Sequence, residues 1–252
     1  MTRLLIDGRQ VSHEAAKLFS FHGDCVFSTM RSYGGEIVHW SSHWQRLCSH
    51  AEHVFYPIPS EEEVRGLILR AIDEAGADQK IRIIISPQQY VILLSPYEPP
   101  PSEIYRGVDV ITTSIKVHPD LSWLKTGNSL PYRLAQRQAL LAGAFEGLLT
   151  DHQGYIVDGS RTSPMLYDGQ EMIALRGGLD GIMREQALGF VQKKGVPIVN
   201  MRLREDEFDG QMLLANSLLG VVPVGEIRSQ LVQEMVDHFR MDQSADTTTG
   251  EP

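Results

Sequence analysis

Apolar residues recur at helical spacing in two segments of the first third of the chain. Between residues 41 and 54 the apolar positions share one face of a helix, and they are Trp44, Leu47, Cys48, Ala51 and Val54. Between residues 60 and 76 a second apolar stripe follows a capping box made by Ser60 and Glu63, and Gly76 provides the stop. Both segments are predicted to be amphipathic helices with one buried face.

Short apolar runs predict strands after these helices. KIRIIIS and YVILLS, separated by the turn PQQ, predict a pair of strands. GLLTDHQGYIVDGS predicts strand, turn and strand, and MLYDGQEMIAL predicts a hairpin around Asp168 and Gly169. GGLDG then leads into a helix predicted from about Gly181 to Gly195. QMLLANSLLGVVPVGEI contains two apolar runs that Asn216 and Ser217 interrupt, and buried polar residues there need hydrogen-bond partners. Helices and strands therefore interleave along the chain.

Composition limits the possible partners. The chain has 252 residues, of which 42% are hydrophobic, and its net charge is −9. This acidic balance, with scattered Lys and Arg, argues against a nucleic-acid partner. No apolar run approaches the ~20 residues of a membrane span, so we expect no membrane partner and a cytoplasmic protein. Cys25 and Cys48 lack a CxxC spacing and are expected to be reduced thiols.

A proline-rich segment divides the chain. PYEPPPSEIYRGVD precedes the apolar run DVITTSIKVH, which places a boundary near residues 110 to 120. We predict a smaller N-terminal domain over residues 1–113 and a C-terminal domain with a barrel-like sheet over residues 114–241. The polar segment at residues 242–252 is predicted to be a disordered tail.

Several segments carry candidate chemistry for a phosphorylated cofactor. Lys125 follows Leu121, Trp123 and Leu124, and an apolar setting favours the neutral amine that forms a Schiff base. Backbone N–H groups from Gly181 to Met183, at a helix N-terminus, favour a phosphate. Asn216 and Ser217 could add donors and Arg46 a positive charge. Taken alone, each feature also fits an ordinary role: a solvated lysine, a surface ion pair, a bulge or a loop.

A metal site is not predicted. Four histidines lie close together in the sequence, and they are His39, His43, His50 and His53. His39 precedes the predicted helix cap, and the other three fall partly off the apolar face of the helix.

The order of motifs along the chain resembles a known family. The motifs are GDCVFSTMR, HWQRLCSHA, LKTGN before an alanine-rich helix, GYIVDGS, LDGIMRE and ANSLLGVVPV. Over about residues 2 to 227 they resemble the class IV, fold-type IV pyridoxal-phosphate (PLP) enzymes. That family contains branched-chain and D-amino-acid aminotransferases and aminodeoxychorismate lyase. The resemblance implies an α+β, two-domain, D-amino-acid aminotransferase-like fold, PLP as cofactor, a small-molecule amino substrate and a homodimer.

The resemblance also implies residue roles. Lys125 matches the Schiff-base and catalytic lysine, with Asn128 three positions later, and Arg46 matches the phosphate-binding arginine. Asp158 falls where the family has a glutamate against the pyridine nitrogen, and a carboxylate there keeps the ring an electron sink. The remaining predicted cofactor contacts are Gly181, Ile182, Met183, Asn216 and Ser217.

Some positions depart from the family pattern. Asp158 is one methylene shorter than glutamate, and Ser28 replaces the acid of FETMR. SRTSPML brings Arg161 and Pro164 into the segment after Asp158, and the segment after KIRIIIS is reduced to PQQ. These changes lie mostly where the family shapes its substrate pocket.

Three functions therefore stay open. GIMR and NSLLGVVPV are most like aminodeoxychorismate lyase, which converts 4-amino-4-deoxychorismate to 4-aminobenzoate and pyruvate for folate synthesis. The alternative enzyme is an aminotransferase of D- or branched-chain amino acids. The third possibility is a non-catalytic member that acts as a binding module, motivated by Asp158, Arg161 and the short PQQ segment.

Overall fold

The computed structural model describes residues 3–10, 23–207 and 209–242. The chain groups into two compact units. The first unit comprises Met1–Glu98 with Leu124–Ser129, and the second comprises Pro99–Trp123 with Leu130–Pro252. The division predicted at residues 113 and 114 stays a prediction, and the predicted tail lies outside the described residues except for Asp242.

The first unit is built on an antiparallel six-stranded sheet in the order β2-β1-β6-β5-β3-β4. Its strands are β1 (Arg3–Ile6), β2 (Arg9–Gln10), β3 (Val26–Tyr33), β4 (Glu36–Ile37), β5 (Gln79–Ile85) and β6 (Tyr90–Pro96). Buried and less buried residues alternate along β5, where Ile81, Ile83 and Ile85 face the core. The predicted strand pair around PQQ is confirmed as β5 and β6.

Two helices contribute the other side of this core, and both were predicted from their apolar stripes. They are α1 (Trp40–His53) and α2 (Glu61–Ala75). Ser60 caps α2 by accepting from the Glu63 N–H at 3.4 Å, and Gly76 ends the helix in the left-handed conformation. Trp44, Leu47, Ala51, Val64 and Ile68 are buried with the isoleucines of β5 in one cluster.

The second unit contains a five-stranded sheet in the order β12-β11-β10-β13-β14 and a three-stranded sheet in the order β7-β8-β9. Its strands are β7 (Val110–Lys116), β8 (Glu146–Thr150), β9 (Ile156–Gly159), β10 (Ser163–Tyr167), β11 (Met172–Leu175), β12 (Ile198–Met201), β13 (Gln211–Asn216) and β14 (Gly220–Pro223). The predicted hairpins are confirmed as β8 with β9 and β10 with β11. Isolated bridges pair Val108 with Val224 and Tyr155 with Arg204.

Four α-helices are described in residues 99–207 and 209–242 of this unit. They are α3 (Pro119–Ser122), α4 (Leu130–Leu141), α5 (Ile182–Lys193) and α6 (Gln230–Phe239), and short 3-10 helices cover Ser102–Arg106 and Glu205–Glu207. The helix predicted between Gly181 and Gly195 is confirmed as α5. Buried residues of α5 and α6 share a cluster with the five-stranded sheet, whereas Ala135 of α4 packs with Leu149 and Val157.

The segment Leu124–Ser129 belongs to the first unit although its sequence neighbours belong to the second. Thr126 forms an antiparallel bridge with Val26, and the Gly127 N–H donates to the Cys25 carbonyl at 2.8 Å. A Cβ at Gly127 would lie 2.7 Å from both the Cys25 Sγ and the Gly23 carbonyl oxygen, so a side chain does not fit. This close approach places Lys125 beside the start of β3.

No described helix is long and apolar enough to cross a membrane.

Candidate functional site

Arg46, Ser28 and His43 form a hydrogen-bonded group in the first unit. Helix α1 carries His43 and Arg46, and β3 carries Ser28, which is fully buried. Arg46 Nη2 donates to the Ser28 hydroxyl at 3.0 Å, and that hydroxyl lies 2.9 Å from His43 Nδ1. Because the Ser28 oxygen accepts from Arg46, its own proton is available for an accepting imidazole nitrogen. The arrangement therefore favours a neutral His43.

Backbone hydrogen bonds hold Lys125 against the same helix. The Lys125 N–H donates to His50 Nδ1 at 3.2 Å, and the Lys125 carbonyl accepts from the Phe27 N–H at 3.0 Å. A nitrogen that accepts a hydrogen bond carries no proton, so this contact also favours a neutral imidazole. Of the apolar neighbours expected around Lys125, Leu124 is buried and Leu121 is exposed. The expected apolar setting of the lysine stays a prediction.

Arg46 and Lys125 supply the positive charge of this group. Burial lowers the pKa of His43 from 6.5 to about 3 and that of His50 from 6.5 to about 4. The charge of Arg46 is the next cause for both, and the charge of Lys125 contributes to both. The two imidazoles are therefore neutral at pH 7.

The two buried histidines predict a loss of stability in acid. Below pH 6.5 the unfolded chain protonates both residues, whereas the folded state keeps them neutral down to about pH 4 for His50 and about pH 3 for His43. The unfolded state then binds more protons than the folded state. The free energy of unfolding therefore decreases as the pH is lowered, by up to about 1.4 kcal/mol per pH unit for each histidine. Between pH 6 and 4.5, urea unfolding of a His50→Asn variant should show a smaller slope than the wild type.

The matched control is His53→Asn, which changes an exposed histidine of the same helix. It should change the slope of unfolding free energy against pH less than His50→Asn does, because the His53 charge is only the last cause that lowers the pKa of His50. Equal slopes for the His50 and His53 variants would contradict the electrostatic account.

Phe27 contacts two cationic side chains. Its ring centroid lies 3.8 Å from Arg82 Cζ and 5.0 Å from Lys125 Nζ. Arg82 lies opposite Thr29 in the pairing of β5 with β3. Burial lowers the pKa of Arg82, and its Nε is buried without a hydrogen-bond partner among the described residues. A second cationic group is therefore close to the Lys125 amine.

In the second unit, Asp158 lies near the end of β9. It is buried and pairs in register with Leu149 of β8. Its Oδ1 accepts from the Gly159 N–H at 3.1 Å. The pKa of Tyr132 is raised mainly by the burial of the tyrosine and also by the negative charge of Asp158. Gly178 packs against this strand so closely that a Cβ there would lie 1.9 Å from the Val157 carbonyl oxygen. Asp158 is thus a carboxylate in a fixed, largely dry position.

The N-terminus of α5 begins at a glycine that has no room for a side chain. Gly181 is the N-cap, and a Cβ there would lie 2.4 Å from Ser163 Oγ. The side chains of Ile182 and Met183 are buried and anchor the first turn. The first N–H groups of a helix have no acceptor within the helix, so this turn presents donors that suit an anion.

Asn216 and Ser217 lie at the turn between β13 and β14. The two predicted apolar runs are confirmed as β13 and β14, and both residues are half-buried between them. Asn216 Nδ2 donates to the Arg161 carbonyl, and Asn216 Oδ1 accepts from the Leu218 N–H at 2.8 Å. The turn is therefore tied to the segment that follows Asp158.

The structure brings the predicted residues together in two groups. Arg46 and Lys125 lie in the first unit, where the charges of both lower the pKa values of His43 and His50. The others lie on adjoining segments of the second unit, and they are Asp158, Gly181, Ile182, Met183, Asn216 and Ser217. Their roles toward a cofactor stay predictions.

Sequence reasoning missed three buried polar residues, Ser28, His43 and Glu146, as members of these groups. His43 and His50 were placed partly off the apolar face, yet both are buried. Glu146 follows the inconspicuous pair Ala144 and Phe145, and nothing in its spacing distinguishes it from a surface acid. In residues 3–10, 23–207 and 209–242, no group of three or more His, Cys, Asp or Glu residues is placed to hold a metal ion.

Comparisons with known proteins give the family. A sequence model of the family "Amino-transferase class IV" matches residues 25–227. A solved structure described as a putative 4-amino-4-deoxychorismate lyase has a TM-score of 0.83 and 38% identity, covering 89% of this chain and 93% of that chain. Aminodeoxychorismate lyase of Vibrio harveyi is 24% identical over 82% of this chain and 84% of its own length. A protein of Methanocaldococcus jannaschii, described as a putative branched-chain-amino-acid aminotransferase, is 23% identical over 91% and 89%.

The chain belongs to the class IV aminotransferase family, and it is a PLP-dependent enzyme. The predicted family, the α+β fold class and the cofactor are confirmed. The family includes both lyases and aminotransferases, so the family alone leaves the reaction open.

Proposed function

We propose that this enzyme is a PLP-dependent lyase that converts 4-amino-4-deoxychorismate to 4-aminobenzoate and pyruvate. The observation that carries this proposal is the 38% identity, over most of both chains, to the structure described as a putative 4-amino-4-deoxychorismate lyase. Two relatives described as branched-chain-amino-acid aminotransferases are 23% and 27% identical. Folate biosynthesis is the use we propose for the product.

Each group, taken by itself, offers chemistry that suits part of a phosphorylated aromatic aldehyde. Lys125 offers an amine for covalent attachment, and Arg46 offers a positive charge beside two neutral histidines. Gly181 begins a helix whose first backbone N–H groups suit a phosphate. Asp158 offers a buried carboxylate for a protonated ring nitrogen. We propose that these residues hold PLP, with Ile182, Met183, Asn216 and Ser217 as further phosphate contacts.

The protein groups suit the proton transfers of this reaction. PLP, when bound, withdraws electrons from the substrate carbon that bears the amino group. Once the substrate's amino group has taken its place on the cofactor, the Lys125 amine would take the proton from that carbon, the C–O bond to the enolpyruvyl group would break, and the ring would become aromatic. Enolpyruvate then takes up a proton and becomes pyruvate. The substrate's atoms are all found in the two products, so neither water nor an oxidant is consumed.

Arg82 supports a substrate with more than one carboxylate. 4-Amino-4-deoxychorismate carries two carboxylates, and Arg82 shares the Phe27 ring with the Lys125 amine. A guanidinium is a strong partner for a carboxylate, whereas a branched aliphatic side chain would leave it desolvated without a partner. We propose that Arg82 binds one substrate carboxylate.

The decisive experiment supplies 4-amino-4-deoxychorismate to the PLP-loaded enzyme and measures both products. Pyruvate is followed with lactate dehydrogenase and NADH, and 4-aminobenzoate is followed by its fluorescence after chromatography. The proposal predicts the two products in equal amounts and no conversion of the cofactor to pyridoxamine phosphate at a comparable rate. A rapid half-reaction with D-alanine or L-leucine, without pyruvate from the chorismate analogue, would refute it.

The alternative is an aminotransferase of D- or branched-chain amino acids, which the relative from Methanocaldococcus jannaschii favours. It uses the same lysine, but it transfers the amino group to the cofactor and needs an oxo-acid acceptor. If the pure protein binds PLP but turns over neither type of substrate, the chain is a binding module instead.

We also propose a homodimer in the cytoplasm. Leu130, Leu134 and Leu141 lie on one face of α4 and are exposed by 54%, 38% and 89%, which favours a covered surface in an oligomer. Cys25 and Cys48 are free thiols, which suits a reducing compartment. A mass by light scattering equal to one 28.2 kDa chain at micromolar concentration would contradict the dimer.

A further inference from the structure

Glu146 is a fully buried carboxylate whose five hydrogen bonds come from neutral donors. Its Oε1 accepts from the Gly147 N–H at 2.8 Å, from the Ser160 N–H at 3.0 Å and from the Ser160 hydroxyl. Its Oε2 accepts from the Thr162 hydroxyl at 2.8 Å and from the Arg161 N–H at 3.4 Å. Burying a carboxylate without a cation is costly, so donors of this number are needed to hold it.

Four of these five donors belong to one turn. Ser160, Arg161 and Thr162 connect β9 to β10, immediately after Asp158 and Gly159. The turn closes on itself through the Gly159 N–H, which donates to the Thr162 carbonyl at 2.8 Å. A Cβ at Gly159 would lie 2.5 Å from Thr162 Oγ1 and 3.2 Å from the Glu146 carboxyl carbon. The carboxylate therefore fills the centre of a turn that has no spare volume.

The same turn contacts the proposed cofactor residues of the second unit. Asp158 lies two residues before Ser160, and the Arg161 carbonyl accepts from Asn216 Nδ2. Ser163 directly follows the turn, and its side chain packs against Gly181 so closely that a Cβ at Gly181 would lie 2.4 Å from the Ser163 Oγ. A shift of the turn would move Asp158, Asn216 and the start of α5 together.

We propose that Glu146 is a positioning residue for PLP. Its carboxylate organises the Ser160–Thr162 turn and thereby fixes the ring-nitrogen partner Asp158 and the phosphate-side donor Asn216 at one spacing. This inference rests on the proposed cofactor roles of Asp158 and Asn216, but it does not depend on which substrate the enzyme uses.

Glu146→Gln tests the role directly, because glutamine keeps the shape but replaces one acceptor oxygen with a donor that faces N–H or O–H groups. We expect the dissociation constant of PLP to rise at least tenfold, as measured by absorbance titration of the apoenzyme. We also expect the pH dependence of the bound cofactor's visible spectrum to shift, because Asp158 would no longer be held in place.

If Glu146→Gln does not fold, two variants of Thr162 test the same role with a smaller change in structure. Thr162→Val removes one hydroxyl donor at constant shape, and Thr162→Ser retains it. The valine variant should raise the dissociation constant several-fold, whereas the serine variant should stay close to the wild type.

The control for general destabilisation is Met235→Ala, which truncates a fully buried residue of α6 that belongs to a different cluster from Val157 and Leu149. It should lower Tm and leave the PLP dissociation constant within threefold of the wild type. The inference is overturned if the Glu146 and Thr162 variants bind PLP like the wild type, or if Met235→Ala weakens PLP binding equally. Failure of the lyase proposal would appear separately, as normal PLP binding without pyruvate release by the wild type.

Discussion

Replacing Lys125 by alanine is expected to lower kcat by about 10³-fold or more. We propose that the variant loses both the amine that attaches the cofactor and the base that takes the substrate proton, and a positioned general base alone contributes about 10²–10⁴-fold. Borohydride treatment of the PLP-loaded wild type, followed by peptide mapping, should find the cofactor fixed to Lys125. The alanine variant should yield no fixed cofactor.

Lys80→Ala is the matched control, because Lys80 is an exposed lysine on β5 of the same unit. It should retain wild-type turnover and cofactor attachment. Attachment to another lysine in the wild type, or unchanged turnover by Lys125→Ala, would refute the assignment. The variant also has a structural signature: removing the Lys125 charge should raise the pKa values of His43 and His50, which NMR titration can detect.

Replacing Asp158 by asparagine is expected to lower kcat on the order of 10²-fold, the scale found when one preorganised electrostatic partner is removed. Asparagine has nearly the same shape but no charge, so a protonated pyridine nitrogen would lose its ionic partner. The dissociation constant of PLP should change much less than kcat, because the phosphate contacts and Lys125 stay in place. Steady-state kinetics with either class of substrate, together with PLP titration, measure both quantities.

Two further variants separate charge from shape. Asp158→Glu keeps the carboxylate and should retain kcat within about tenfold of the wild type, since the loss attributed to charge is larger than this. Asp206→Asn removes an exposed carboxylate and should have no effect. Equal kcat for Asp158→Asn and the wild type would show that the ring nitrogen has no ionic partner at this position.

The elements that were predicted correctly are those whose signals are local. The α2 helix is bounded by Ser60 and Gly76, and the conformational preferences of these two residues act over one turn. The α5 helix and its approach from Gly181 follow from the same kind of signal. The candidate residues Lys125, Arg46 and Asp158 came from the order of motifs rather than from periodicity, and their roles still await the experiments above.

The residues that sequence reasoning missed owe their positions to distant partners. Ser28 meets His43 across 15 residues and Arg46 across 18, and Glu146 meets Ser160 and Thr162 across 14 and 16. Such contacts depend on how a strand packs against a helix or closes with the next strand, which residue spacing does not encode. His43 and His50 likewise meet distant partners, the Ser28 hydroxyl and the Lys125 N–H, which the apolar stripe of α1 does not reveal.

The placement of Leu124–Ser129 has a consequence for how this protein is synthesised and how it could be divided. The first unit needs this segment, yet the ribosome makes it only after residues 99–123, which belong to the second unit. The first unit therefore cannot be completed while its own first 98 residues are the only ones that have emerged. A gene cut after residue 98 would encode neither a finished first unit nor Lys125, the proposed Schiff-base lysine. The two units are therefore expected to be inherited and exchanged together.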